Sequence, residues 1–173
     1  AYSSSEADSN PRLDATLLGQ RLDALRRALD DSDENVRLTA VRSVATYADP
    51  SALSRLLEIL KSDTPPLRRE AATALGQLRD ARAVPDLLDA LANSKLTLDR
   101  SEEHAILFAL IEINEAAATR RGLASSDTKQ QRGALIALDQ MSSGNLTAED
   151  VVSLVASDDP QLQRSAAEVF SRH

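Results

Sequence analysis

The chain has 173 residues, enough for one domain with a buried core, but Tyr2, Tyr47, Phe108 and Phe170 are its only aromatics, so Leu, Ala and Val must build that core. A formal charge of −7 argues against a nucleic-acid or anionic-membrane partner, since each needs a basic footprint. The absence of cysteine removes disulfides, thiolate metal sites, Cys nucleophiles and c-type haem attachment. No apolar run approaches the roughly 18 residues of a membrane span, and the N-terminus lacks the basic and apolar regions of a signal peptide.

In chain order, residues 1–11 are small, polar and acidic and read as a disordered lead-in or linker. Helices are then expected over 12–30, 34–48, 50–61, 65–79, 82–93, 99–113, 115–124, 127–142, 147–156 and 160–172. Asp49-Pro50 reads as an N-cap followed by Pro at the first helical position, and Pro65-Pro66 starts the next helix where a missing N–H costs nothing. Leu67, Ala71, Leu75 and Leu78 make one apolar stripe, and Val84, Leu87, Leu88 and Leu91 make the next. Thr147 and Asp150 resemble a capping box with Asp in place of Glu, and Asp158-Asp159-Pro160 opens the last helix. Period-two runs of β-branched residues are missing, so the fold class is all-α.

The helices recur in pairs. Leu29, Leu60, Leu91, Leu123 and Val155 are spaced by 31, 31, 32 and 32 residues. A small residue follows in each unit (Ala40, Ala71, Ala105, Ala134, Ala166), with an apolar partner four positions on (Val44, Leu75, Ala109, Leu138, Phe170). Upstream, Val36, Leu67 and Leu162 match, while Glu102 and Gln130-Gln131 loosen the pattern. This defines five units within 12–173: about 12–48, 49–79, 80–113, 114–142 and 143–173. Extra residues lengthen the loops at 93–101 and 142–146, as tolerated drift or as edges of a binding surface.

The sequence offers no catalytic, cofactor-binding or metal-ligating set. His104 and His173 are the only histidines and lie in different units. Glu103 and His104 are adjacent and do not share a helical face, so His104 reads as a surface histidine. The carboxylates of Asp30, Asp31, Asp33, Asp158 and Asp159 fall at helix starts, where the dipole favours them. Asp31-Ser32-Asp33-Glu34 lacks the central Gly and distal Glu of a calcium loop. The five glycines form no phosphate-cradling loop, and no Gly-x-Ser-x-Gly elbow exists.

The stretches VRLTAVRSVATYADPSALSRLLEIL and LRREAATALGQLRDARAVPDLLDAL resemble the HEAT-like repeats of phycobilisome lyases, a resemblance covering about residues 29–173. It implies a right-handed α-α superhelix, a HEAT-like solenoid of about five helix pairs. The C-terminal stretch from Gly133 is similar to the HEAT region of large planctomycete proteins classed as membrane-bound dehydrogenases. Those join a β-propeller-like domain, HEAT repeats and a cytochrome c-type haem domain. This implies a module of a longer exported protein, periplasmic or extracytoplasmic. No haem motif stands in this chain, so no redox role comes to its residues.

The resemblance also implies that the second helix of each unit lines the concave face. In that register Arg42, Thr73, His104, Leu107, Ile111, Arg132, Ile136 and Gln140 form a candidate partner groove, with Leu107, Ile111 and Ile136 as an apolar centre. Arg37 and Arg68 recur at equivalent positions. The family pattern pairs this Arg with a loop Asp of a neighbouring unit, which makes Asp49 and Asp80 the expected partners. The expectation is a non-catalytic, monomeric scaffold without cofactor, which binds a protein or a neighbouring domain of its own chain. The alternative is an accessory module of a dehydrogenase or haem protein, or a lyase-like subunit.

Overall fold

The computed structural model describes residues 11–93 and 98–172. The lead-in, apart from Pro11, lies outside the described residues, as do 94–97 of the lengthened loop and His173.

Ten helices follow one another, and among the described residues there is no strand: α1 (Pro11–Ala28), α2 (Glu34–Thr46), α3 (Leu53–Ser62), α4 (Pro65–Leu78), α5 (Val84–Ala92), α6 (Arg100–Ile113), α7 (Ala116–Arg120), α8 (Thr128–Gln140), α9 (Ala148–Val155) and α10 (Pro160–Phe170). Short 3-10 turns lead into α3 and α5 and extend α7. The starts are fixed by side chains that satisfy the first free N–H groups. Asp33, Asp49, Asp80, Asp127 and Asp159 each accept from a backbone N–H two positions on. Thr147 and Asp150 form the reciprocal capping box, and Asp99 and Glu102 form a second one that opens α6. Helices α4 and α6 end on Arg79 and Asn114 in the left-handed region, with φ of 52° and 56°.

The second helices of successive units, α2, α4, α6, α8 and α10, pack side by side in chain order. Helices α3, α5 and α7 form the other layer, and each first helix also packs on the second helix of its own unit. Between the layers lies an apolar core from Leu29 to Met141, supplied by Leu, Ala, Val and Ile as the composition requires. A separate small core joins Leu135 of α8 to Val151, Leu154, Leu162, Ala166 and Val169 of the last unit. The approach of α4 and α6 depends on Gly76: a Cβ there would stand 2.9 Å from the Ala109 Cα.

The arginine ladder differs from the family-based expectation. Arg37 Nη2 donates to Asp63 Oδ1 at 3.0 Å, and Arg68 Nε donates to Glu102 Oε1 at 2.8 Å. Asp49 and Asp80 are instead engaged as turn caps, Asp49 with Arg26 at 2.6 Å and Asp80 with Arg82 of its own turn. The reason is direction: Arg37 and Arg68 reach forward to the start of the next unit's second helix, while the loop Asp is drawn down onto its own turn. Glu102, which loosens the apolar pattern, is only 2 % exposed because it answers Arg68, itself 8 % exposed.

Candidate functional site

The groove residues stand on α2, α4, α6 and α8 of the second-helix layer. Arg42 is exposed and its Nη2 lies 2.8 Å from Glu70 Oε1. Thr73 is half-buried and its hydroxyl donates to the Arg69 carbonyl at 3.1 Å. His104 is exposed; Arg132 is half-buried and its Nη2 is 2.5 Å from Glu103 Oε1. Gln140 is exposed at the end of α8.

The proposed apolar centre is placed differently. Leu107 and Ile111 are half-buried and pack on the core, and the Leu107 side chain lies against Gly133 of α8. Ile136 is also half-buried. Leu107 thus belongs to the seam between α6 and α8 and Ile111 to the edge of the core, so the three do not form an open apolar surface. The exposed large apolar side chain of α6 is Phe108, at 48 %. Its counterparts in the other units are Ser43, Ala74, Ala137 and Val169, none larger than valine and the last three buried, so a phenyl ring exceeds the space at this position and turns outward. A phenylalanine where the other units place serine, alanine or valine was the available signal for it.

Phe108 shares an open recess of about 630 Å3 with Arg69, Thr73, Arg100, Ser101, His104 and Ala105. Of the eight groove candidates, only Thr73 and His104 line it. Two arginines and a histidine are among its lining residues, and no carboxylate lines the recess. The nearby acids are committed elsewhere: Glu70 to Arg42, with Arg69 at a distant 3.9 Å, and Glu103 to Arg132. The site is therefore a cationic, partly aromatic hollow on an acidic chain. Among the described residues no group of three His, Cys, Asp or Glu is placed to hold a metal ion, and no helix is long and apolar enough to cross a membrane.

Elsewhere the notable electrostatics concern bracing between units. Asp150 is held below the usual carboxylate range by the Arg120 guanidinium first, then by the backbone N–H and hydroxyl of Thr147. Asp159 is held low by the Leu162 N–H first, with help from the Thr128 hydroxyl 3.0 Å away. Asp80 is lowered by Arg82.

Residues 22–107 match the family model for HEAT repeats. Human deoxyhypusine hydroxylase is 31 % identical over 78 residues, which is 44 % of this chain and 26 % of that protein, so the match spans about a quarter of the relative. The crystal structure of an engineered protein superposes with a TM-score of 0.50 at 24 % identity, over 91 % of this chain and 84 % of that one, which is a likeness of fold. With the helix pairs, their 31-to-32-residue spacing and the stacked layers already described, the protein is an all-α solenoid of helix pairs, similar over residues 22–107 to HEAT repeats.

Proposed function

We propose that this solenoid is a non-catalytic interaction scaffold, and that the Phe108 recess takes an acidic segment of a partner protein or neighbouring domain that carries an apolar side chain. The observation behind this reading is the imbalance of charge in the recess. Along the rest of the face Arg42 and Arg132 are answered closely by Glu70 and Glu103, whereas Arg69, Arg100 and His104 share the recess with an exposed ring and no carboxylate lines it, the approach of Arg69 to Glu70 being a long 3.9 Å. A ligand carboxylate would supply the missing charge and its apolar neighbour would cover Phe108, the combination that marks the centre of a protein contact.

The test is fluorescence anisotropy with a labelled peptide of alternating Glu and Leu, against the same peptide with Gln for Glu. Binding of the first, weakened at least tenfold by Phe108→Asp or by Arg69→Glu with Arg100→Glu, is the expected result. Equal binding of both peptides, or no response to either change, removes the recess from consideration. The likeness to deoxyhypusine hydroxylase favours one other reading, in which these repeats sit within an enzyme. Turnover of a deoxyhypusine-bearing protein by this chain alone would establish that reading in place of the scaffold.

A further inference from the structure

The last unit leaves open a surface that every earlier unit covers. One column of the second helices reads Val41, Ala72, Ile106 and Leu135, all at 1 % exposure or less. Its counterpart in α10 is Ala167, which is exposed. A second column reads Val44, Leu75, Ala109 and Leu138, again at 1 % or less, and its counterpart Phe170 is 48 % exposed. In the other layer the equivalents Arg26, Leu57 and Arg120 are half-buried and Leu88 is 3 % exposed against Gly122 of the next unit, while their counterpart Val152 is 59 % exposed.

The direction of the missing cover follows from the two ends. Val41 and Val44 are fully buried in the first unit, with no described helix pair before them and one after. The following unit therefore completes their burial. Leu135 shows the contact directly, since it packs in the small core of the last unit. The column on the opposite flank behaves in reverse: Leu162 of the last unit is fully buried, but its first-unit counterpart Val36 is 39 % exposed. A capping unit carries a polar outer face. Here the outward columns of α9 and α10 remain apolar, rimmed by Glu168 and Arg172.

We infer that the α9–α10 face is the seat of a further helix pair, stacked as a sixth repeat and covering Val152, Ala167 and Phe170. The seams already present specify the occupant. Its second helix carries a Leu four positions before an Ala, as in Leu67 and Ala71 or Leu162 and Ala166, all four of them fully buried. This surface is separate from the Phe108 recess and does not depend on it.

The experiment extends the full chain after His173 with a second copy of residues 49–79, whose α4 carries that Leu and Ala. The expected result is one extra unit of helix by circular dichroism, a melting temperature higher by about 5 °C, and slower amide exchange in α10. Phe170→Asp with Val152→Asp should abolish the gain in the extended chain. The same pair of changes in the unextended chain should leave its melting unchanged, because both side chains are about half exposed or more. An appended unit that adds no helix, or a gain that survives both changes, overturns the inference. So does concentration-dependent association of the unextended chain that Phe170→Asp disperses, which would assign the seat to a second copy. Peptide binding at Phe108 is a separate readout, so either proposal can fail alone.

Discussion

The seam between α4 and α6 and the seam between α8 and α10 come from the same repeat but are held by different means. At the first, Gly76 and Ala109 bring the backbones close, and Arg68 and Glu102 make an ion pair that is almost wholly out of water, with Arg68 Nη1 also donating to the Asp63 carbonyl at 2.7 Å. At the second, the apolar contribution is a six-residue cluster, and the polar links are the Thr128–Asp159 hydrogen bond and the Arg172–Asp139 pair at 2.6 Å. Arg120 reaches across the same junction to Asp150 and to the carbonyls of Gly144 and Asn145. Stability in a repeat array is set by nearest-neighbour interfaces. The last unit therefore opens before the middle of the stack, although the sequence spacing of the two regions is nearly the same.

The sharpest way to break this contrast is Glu102→Ala. It leaves Arg68 buried without its partner and removes the α6 capping box, with a loss of about 3–5 kcal/mol in urea unfolding. Arg68→Met with Glu102→Leu should restore much of it; if the single change costs no more than a surface substitution, the middle seam is not the stronger one. Next, Leu162→Ala should cost about 3 kcal/mol, but the change should be local. Amide exchange should accelerate in α9 and α10 while α4 and α6 keep their protection, whereas uniform acceleration would show that the units do not open separately.

Acid should act on the same junction with a smaller effect. Asp150 and Asp159 have folded pKa values below those of the unfolded chain, so their contribution is fully present above the ordinary carboxylate value of about 4 and is lost as pH falls through the lowered folded values. The difference in melting temperature between the native chain and Asp150→Asn should accordingly shrink toward zero on acidification below about pH 4. A constant difference would mean that the Arg120 contact carries no charge dependence. Smallest of all, Phe108→Asp should alter stability by less than about 0.5 kcal/mol while weakening peptide binding at least tenfold. A large loss of stability would place the ring in the core.

The frame was largely legible in the residues. The recurring Leu and Ala positions marked all five helix pairs, and Asp49-Pro50, Pro65-Pro66, Thr147–Asp150 and Asp159-Pro160 marked helix starts that the structure contains. Contacts between units were less legible, because one sequence with a 31-residue period states which column a side chain occupies but not how far it leans. Arg37 and Arg68 lean forward, away from the loop aspartates assigned to them. Glu102 looked like a break in the pattern because its partner lies 34 residues away. Phe108 was missed for a steric reason: a position that serine, alanine or valine fills in the other units cannot hold a phenyl ring, so volume overrode periodicity.

The buried Arg68–Glu102 pair has a mechanical consequence. Most other links between units are at least partly wet, and salt weakens them over a screening length of about 8 Å at physiological ionic strength. The buried pair is shielded from those ions. As ionic strength rises, the stack should therefore become more compliant toward its ends while its middle stays stiff, like a spring clamped at one coil.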